Sequence, residues 1–306
     1  MNFNDAIKVF NANRGLRVKG GQVNGQDREL RNFAVFMRNC EIETVTDEHI
    51  VEWINLFKTL GYTTNTLIKK EEALIQFYKF FKRKGLDVVD PFLIPLTDKE
   101  YVKPRVCTDE KYRQLLEVLP VGTDGFKLRN RVMISLMWNT GMRIGECIAL
   151  DISSIDIEKK LVTIKTEKSK GVRPFRTIPY DILDNEVVEV LPKWLEKRKE
   201  LLESIKLEEP EALFFGVKST NARGKRLALQ AMGEIFAKTS RRAGMEREEY
   251  VNAHSLRHHF GHALAIKGMN NSVISEAMGH ASLSSSFRYT QLESGDLTNL
   301  LRGSTM

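Results

Sequence analysis

The sequence predicts a mainly α-helical protein with one small β-hairpin, an α+β fold divided into two domains. Apolar residues recur three and four positions apart through most of the 306 residues, which is the spacing of amphipathic helices. One pair of short β-branched runs, LVTIKTEK and PFRTIPY, has the composition of a hairpin. Three prolines interrupt the helical pattern at positions 91, 95 and 104, where a helix cannot continue. At about 100–200 residues per domain, the length also favours two domains.

The first domain, residues 1–90, is predicted to be a small helical bundle. One helix is predicted in QDRELRNFAVFMRN, where the apolar residues follow the helical period. The next runs through DEHIVEWINLFKTLG, with Thr46 as its cap and Gly61 as its end. A third runs through TLIKKEEALIQFYKFFKRKG and ends at Gly85.

The third helix is basic on the side away from its apolar stripe. A solvent-exposed charged face is the simplest interpretation of that pattern. Contact with a nucleic-acid backbone is the alternative, for which Lys79, Lys82 and Arg83 are the candidates. The basic residues predicted to lie off the apolar stripe are Lys69, Lys70, Lys79, Lys82, Arg83 and Lys84.

Residues 91–105 are predicted to form an extended linker, and residues 106–306 the second domain. A helix is predicted to open at Thr108 and another to run through FKLRNRVMISLMWNTG, ending at Gly141. The hairpin follows, and after Asp181 the helical spacing returns.

Composition excludes several classes of protein. With 42% hydrophobic and 28% charged residues, 20 Gly and 8 Pro, the chain resembles neither a disordered nor a collagen-like protein. No stretch approaches the roughly 18 apolar residues of a membrane span, and the start, MNFNDAIKVFNANRG, lacks the apolar run of a signal peptide. We therefore expect a cytoplasmic protein, associated with the nucleoid if it binds DNA.

The cysteines indicate neither a disulfide framework nor a zinc site. Cys40, Cys107 and Cys147 have no CxxC spacing and do not cluster with histidines. We expect buried free thiols and no bound metal.

The net charge indicates the kind of partner, and the histidines indicate which part of the chain carries the chemistry. A net charge of +7 favours a polyanionic partner without proving one. Of the six histidines, only His49 precedes residue 250, and the other five lie between His254 and His280. If histidine carries the chemistry, the site lies near the C-terminus.

Two short motifs supply cations suited to a phosphate. In TGMRIGE a helix ends at Gly141 and the next begins almost at once, which places Arg143 at a helix start, where the free N–H groups and the guanidinium both favour an oxyanion. In HSLR, His254 and Arg257 are three residues apart and share one face of a helix, so both can contact one phosphate. Each motif alone is also consistent with a structural role.

Two further motifs complete a set able to attack a phosphodiester. Gly279 is predicted to end a helix that starts near Ser272, with His280 emerging after it, although that histidine could simply cap the helix. Tyr289 follows nine residues later, and its phenol needs neighbouring cations to react near neutral pH. Only a general acid is then missing, and a lysine would serve.

Taken in this order, the motifs TGMRIGE, a lysine-bearing hairpin, HSLRHHF, GH and the late tyrosine resemble the tyrosine recombinase (phage integrase) family. The resemblance covers about residues 105–295 and, more loosely, residues 1–90. It implies a helical, SAM-like core-binding domain that binds DNA, followed by a catalytic domain with a C-terminal tail. It also implies a site-specific recombinase or integrase, such as those of mobile elements, that acts as a tetramer on two double-stranded DNA sites.

The resemblance assigns a role to each matching residue. Arg143 and Arg257 would hold the scissile phosphate, His254 would assist proton transfer, His280 would hydrogen-bond the phosphate, and Tyr289 would be the nucleophile. The product would be a 3′-phosphotyrosine and a free 5′-hydroxyl. Because that linkage keeps the bond energy, neither ATP nor a metal is implied.

The lysine of the hairpin stays open between two positions. Counting forward from LVTIKTE favours Lys168, whereas counting back from the second strand favours Lys170. Three further histidines, His258, His259 and His262, are interpreted as packing residues, since no cysteine or carboxylate cluster accompanies them.

Two other functions remain open from the sequence. A type IB topoisomerase resembles this family in chemistry but relaxes supercoils as a monomer, and a non-catalytic DNA-binding protein could keep the same fold. The separate N-terminal bundle and the tail, residues 291–306, favour recombination. The leucines of that tail could dock on its own domain or on a neighbouring protomer, and the target DNA, the biological role and any accessory protein are not encoded in these motifs.

Overall fold

The computed structural model describes residues 1–15, 20–94, 96–98, 105–122, 124–166, 174–204, 211–216 and 224–279. The chain divides into two compact units, Met1–Lys103 and Pro104–Met306. The boundary falls within the segment that the sequence predicts to be a linker. The predicted fold class is confirmed, since the described residues are mostly helical with one small sheet.

The first unit contains four described helices. Thr46 is the N-cap residue of the third, as predicted. Gly61 and Gly85 follow the third and fourth helices with φ of +77° and +81°, a left-handed conformation that glycine adopts without strain. The helices are α1 (Phe3–Gly15), α2 (Gly20–Phe36), α3 (Asp47–Thr59) and α4 (Thr64–Arg83).

Aromatic side chains fill the core of this unit. The rings of Phe3 and Phe77 stack with centroids 5.1 Å apart, and Phe33 meets Trp53 edge to face at 5.0 Å. All four are buried. The bundle therefore has its own apolar core, as an independent domain requires.

Lys70 corrects one prediction about the basic helix. It was expected on the solvent side of α4 but is only 3% exposed. Its Nζ lies 2.6 Å from Oε2 of Glu29 and 3.7 Å from the ring centroid of Phe57. The prediction was wrong because Lys70 stands three residues after Leu67 and four before Leu74, on the apolar face itself.

The second unit surrounds the buried helix α6. The predicted hairpin is confirmed by β2 and β3, and a short strand, β1, adds a third antiparallel strand that the sequence did not reveal. Residues 211–216, in a region predicted to be helical, instead form isolated bridges. The elements are α5 (Asp109–Glu117), α6 (Gly125–Thr140), α7 (Ile144–Ile148), β1 (Ile155–Asp156), β2 (Leu161–Lys165), β3 (Phe175–Pro179), α8 (Glu186–Ser204), α9 (Leu229–Arg242), α10 (Ala253–Ile266) and α11 (Asn271–Ala277).

The end of α6 lies directly against α10. Gly141 ends α6 in the left-handed conformation, with φ of +58°. A Cβ atom at this position would collide with the ring of Phe260 in α10. Only glycine meets both requirements, so the chain turns tightly here and brings the start of α7 close to α10.

All three cysteines carry free thiols. Cys107 and Cys147 are buried, as predicted, whereas Cys40 is only half-buried, contrary to the prediction. Burial raises the pKa of the Cys107 thiol to about 12, so it stays protonated and unreactive. Among the described residues, no helix is both long and apolar enough to cross a bilayer.

Candidate active site

Arg143 lies at the start of α7, where the sequence places it. It is the N-cap residue of that helix, and its main-chain N–H donates to Oε2 of Glu146 at 2.7 Å. Its Nη1 donates to Oε1 of the same carboxylate at 2.9 Å. The short turn after Gly141 therefore fixes both the main chain and the side chain of Arg143.

The guanidinium of Arg143 reaches the end of α11. Its Nη1 and Nη2 each donate to the main-chain oxygen of Gly279 at 3.2 Å. Gly279 follows α11 with φ of +60°, so the helix ends there as predicted. Two motifs separated by 136 residues thus meet at one point.

Arg257 reaches the same point from α10. It is 5% exposed. Its Nη1 donates to the main-chain oxygen of Gly141 at 2.7 Å, and its Nη2 donates to the main-chain oxygen of Met278. Arg143 and Arg257 thus bind the carbonyls of two adjacent residues, Gly279 and Met278.

His254 lies in the first turn of α10, before Arg257 on the same helix. Its side chain is exposed. Asn252 caps this helix by accepting from the main-chain N–H of Ser255 at 2.9 Å. The helix thus presents an accessible imidazole three residues before the buried arginine.

Glu146 joins Arg143 to a buried arginine, Arg176 of β3, which the sequence analysis missed. Nη1 and Nη2 of Arg176 donate to the two carboxylate oxygens of Glu146 at 3.1 and 2.7 Å. Burial alone would raise the pKa of the Glu146 carboxyl, but the hydrogen bonds and charge of Arg176, with those of Arg143, lower it to about 2. This carboxylate stays ionised near neutral pH and binds two arginines at once.

The strand alternation contained a signal for Arg176. Arg176 and Ile178 lie on one face of β3 and are buried, whereas Phe175 is 58% exposed. A charged residue at an inward position, with an exposed aromatic neighbour, reverses the usual pattern. Such a reversal is typical of a buried ion pair and predicts a partner carboxylate.

Comparison with known proteins identifies this arrangement. The model of the phage integrase family matches residues 105–295. The chain belongs to the phage integrase family, the tyrosine recombinases. The prediction of this enzyme class from the sequence is thereby confirmed.

Individual relatives agree with that membership. Tyrosine recombinase XerC of Halalkalibacterium halodurans is 28% identical over 280 residues, which cover 90% of this chain and 88% of the relative. The Tn1549 transposon integrase, solved in complex with transposon right end DNA, has a TM-score of 0.73 at 19% identity and covers 100% of both chains. A lambda integrase tetramer bound to a Holliday junction has a TM-score of 0.71 at 16% identity, covering 96% of this chain and 79% of that one. The two structural likenesses show the fold.

Several residues that the family resemblance assigns lie outside the described residues. These are His280, Tyr289, both candidate lysines, Lys168 and Lys170, and the tail, residues 291–306. Lys168 and Lys170 belong to the segment between Thr166 and Pro174, which joins the two strands of the hairpin. Of the residues that the family resemblance assigns, the structure therefore describes Arg143, His254 and Arg257 with their supporting residues.

His259 packs beside this site rather than joining it. Its ring stacks on Trp138 with centroids 3.7 Å apart, and Trp138 stacks on Tyr112 at 4.2 Å. Burial lowers the pKa of His259, although Asp109, 3.6 Å away, acts in the opposite direction. Within the described ranges, no three His, Cys, Asp or Glu side chains are grouped to hold a metal ion.

Proposed function

We propose that this tyrosine recombinase cleaves and rejoins DNA at specific sites through a covalent 3′-phosphotyrosine, without metal or ATP. The observation that carries the proposal is the convergence of Arg143 and Arg257 on the carbonyls of Gly279 and Met278, which follow α11 and come immediately before His280 in the chain. Two guanidinium groups at a helix end and a following histidine are the donors that a phosphodiester needs.

The charges near Arg143 suit a developing phosphorane. Arg143 and Arg176 share the single carboxylate of Glu146, so these three side chains carry a net positive charge. Their geometry is fixed before any ligand arrives, because each arginine is already hydrogen-bonded to the protein. Preorganised donors of this kind stabilise charge that develops in a transition state.

In the proposed reaction, the phenolic oxygen of Tyr289 attacks the phosphorus of the scissile phosphodiester. The bond from phosphorus to the 5′-oxygen breaks, and the lysine of the hairpin, Lys168 or Lys170, gives that oxygen a proton. His254 helps to remove the proton of the phenol, while Arg143, Arg257 and His280 hold the non-bridging oxygens. The 5′-hydroxyl of a partner strand then attacks the phosphotyrosine and releases the enzyme.

A nicked suicide substrate tests this proposal. Cleavage releases a short strand that carries the 5′-hydroxyl, and because this strand diffuses away the covalent complex cannot be reversed and is trapped. The substrate would be built from inverted repeats in the DNA that flanks the gene. Wild type and Tyr250→Phe should form an adduct stable in denaturing gels, with or without EDTA. Tyr289→Phe should bind the same DNA but form none. The Tyr250 variant is a matched control, since it removes the phenolic oxygen that accepts from Arg241.

The same assay separates the alternative functions. DNA binding by wild type without any adduct would indicate a non-catalytic binding protein. Relaxation of supercoiled plasmids that lack the repeats would indicate a type IB topoisomerase. An adduct in Tyr289→Phe would assign the nucleophile elsewhere, and loss of the adduct in EDTA would contradict metal independence.

We also propose that the first unit contacts DNA through the C-terminal end of α4. Arg83 is exposed there and, with Arg14, Lys79 and Lys84, lines a surface groove of about 700 Å³. Lys82 is exposed as well. Neighbouring cations on one surface bind phosphates in a salt-dependent manner.

Charge reversal tests this contact. Reversal of Lys79, Lys82 and Arg83 together should weaken DNA binding. It should also lower the slope of log affinity against log salt concentration by the equivalent of about three phosphate contacts. Reversal of Lys8, Arg31 and Lys58, which are exposed elsewhere in this unit, is the control for net charge. Equal effects of the two triple variants would indicate that Lys79, Lys82 and Arg83 form an ordinary solvent-exposed face and do not contact DNA.

The partner in assembly is proposed to be a second copy of this chain, ending in a tetramer on two DNA sites. The lambda integrase in the comparison was solved as a tetramer bound to a Holliday junction. The tail, residues 291–306, is the candidate link between protomers. Truncation after Thr290 should leave binding to a single site intact but remove cooperative binding to paired sites. Normal cooperativity after truncation would contradict this role.

A further inference from the structure

Arg176 ties together three parts of the second unit. Its Nη1 and Nη2 donate to the carboxylate of Glu146 at 3.1 and 2.7 Å. Its Nε donates to the main-chain oxygen of Ala277, in α11, at 2.9 Å. Its Nη1 also lies 3.3 Å from Oγ1 of Thr166, the residue that follows β2. One buried guanidinium thus spans α7, the hairpin and α11.

Each of these parts leads to a group assigned to catalysis. Glu146 holds Arg143 at 2.9 Å. The main chain after Ala277 runs through Gly279, the acceptor of Arg143, to His280. The main chain after Thr166 runs to the two candidate lysines. The position of Arg176 therefore bears on Arg143 and on the segments that lead to His280 and to the candidate lysines.

We propose that Arg176 is a positioning residue that sets the orientation of Arg143 through Glu146 and holds the hairpin and the end of α11 in register around the scissile phosphate. This inference rests on the proposed function, since its consequence is a rate of DNA cleavage. Arg176 itself touches no substrate in this proposal.

The planar shape of arginine explains why this residue type is needed. Three of its nitrogen atoms point to three different acceptors, and the side chain is 8% exposed. A lysine carries one ammonium on a flexible stem and cannot reach all of these acceptors together. Arg176→Lys should therefore keep the positive charge but lose part of the hydrogen-bond geometry of the guanidinium.

A purely structural ion pair is the competing interpretation, and Arg129 supplies a matched control. Arg129 is 6% exposed, and its Nη1 donates to the main-chain oxygen of Phe215 at 2.7 Å. It lies 11 residues before Thr140, the last residue of α6, and thus about 16 Å along that helix from the turn leading to Arg143. Arg129→Met and Arg176→Met each remove one buried guanidinium from the same unit.

The first measurement is single-turnover cleavage of the suicide substrate, well below the unfolding temperature of every variant. Arg176→Met should cleave about 10- to 100-fold more slowly than wild type, the range seen when residues that orient metal ligands are removed. Its DNA affinity should be unchanged. The cleavage rate of Arg176→Lys should lie between those of wild type and Arg176→Met. Arg129→Met should cleave at the wild-type rate. Equal losses for Arg176→Met and Arg129→Met would overturn the inference.

The pH profile of cleavage gives a second readout. Among the described residues, the charged groups in contact with Glu146 are Arg143, from its own helix, and Arg176, from β3. Burial raises the pKa of this carboxyl, and Arg176 outweighs that effect. Without Arg176, Glu146 should take up a proton at higher pH, so the acid limb of the Arg176→Met profile should move upward. An unmoved acid limb would count against the inference.

A third measurement does not depend on activity. The side-chain ¹⁵N–¹H signals of Arg143, assigned with Arg143→Lys, should shift or broaden in full-length Arg176→Met and stay unchanged in Arg129→Met. Unchanged signals in Arg176→Met would overturn the inference even if cleavage falls. If wild type forms no adduct, the proposed function fails, whereas these signals still decide whether Arg176 positions Arg143.

Discussion

Gly279 has no room for a side chain because Arg176 lies against it. A Cβ atom at residue 279 would be 2.7 Å from Nη1 of Arg176 and 3.2 Å from Cγ2 of Thr166. The guanidinium cannot move aside without losing its bonds to Glu146 and Ala277. The end of α11 and the buried arginine are therefore packed as one unit.

Gly279→Ala should consequently cost more stability than the same substitution at a left-handed glycine that has free space around it. Gly268 is the matched control, because its φ is +74° and a Cβ there would meet nothing within 4 Å. Gly268→Ala should lose about 1–2 kcal/mol from left-handed strain alone. Gly279→Ala should lose more and should also slow cleavage. Urea unfolding and suicide-substrate cleavage measure the two effects, and equal stability losses would contradict the close packing.

Arg143 and Arg257, the two arginines proposed to hold the phosphate, should differ in their effects on stability while having similar effects on cleavage. Each alanine variant should slow cleavage by about 10²- to 10³-fold, as loss of one oxyanion donor does. Arg257→Ala should also lower stability, because it removes hydrogen bonds to Gly141 and Met278 that join the ends of two helices. Arg143→Ala should change stability less, since Glu146 keeps its pair with Arg176.

Thermal unfolding and single-turnover cleavage check this separation. Either variant cleaving at nearly the wild-type rate would remove that arginine from the phosphate site. A larger stability loss for Arg143→Ala than for Arg257→Ala would contradict the hydrogen-bond network described here.

How far the sequence predicts this site depends on the kind of residue. The sequence predicts that Arg143 and Gly279 lie at helix ends and that Arg257 shares a helix face with His254, because glycines and short spacings leave local signals. Their meeting at α11 could not be read from the chain, since Arg143 and Gly279 are 136 residues apart. Family resemblance supplied that link, where local patterns could not.

Buried charges were the main failure of the sequence analysis. Lys70 was assigned to solvent by its polarity, although its helical position was on the apolar face, and Arg176 was not singled out at all. Both are buried because each has a carboxylate partner distant in the sequence, Glu29 and Glu146. A burial pattern identifies such a position only when the alternation of the strand or helix is given more weight than the residue type.

The buried pair of Lys70 and Glu29 should be important for the stability of the first unit. Burial raises the pKa of Glu29, but hydrogen bonds from Lys70 and Arg28 outweigh it and lower the pKa. Removing Lys70 leaves Oε2 of the buried carboxylate without its partner, and only Arg28 on Oε1 remains, so Lys70→Met should cost about 3 kcal/mol. Lys69→Met, on an exposed neighbour, should change stability by about 0.5 kcal/mol or less.

Chemical unfolding of both lysine variants tests the pair. Similar stabilities for Lys70→Met and Lys69→Met would contradict a structural role for the buried lysine. Addition of Glu29→Gln to Lys70→Met should recover part of the loss, because the buried side chain that has lost its lysine partner is then neutral.

The last prediction concerns the dependence of stability on pH, which follows from Glu146. The pKa of this carboxyl falls from an ordinary 4.5 to about 2 in the folded protein, despite a burial effect that raises it. Since the folded pKa is the lower one, the carboxylate stabilises the fold above about pH 4.5, and that contribution is lost as the pH falls toward 2. The shift corresponds to a contribution on the order of 3 kcal/mol.

Glu146→Gln cannot titrate, so the stability difference between wild type and this variant should shrink as the pH falls through that window. Urea unfolding at several pH values between neutral and pH 3 measures the difference. Glu234→Gln is the control, because the pair of Glu234 with Lys238 is exposed and should contribute little at any pH. A difference between wild type and Glu146→Gln that stayed constant across the window would show that Arg176 and Arg143 do not hold this carboxylate ionised.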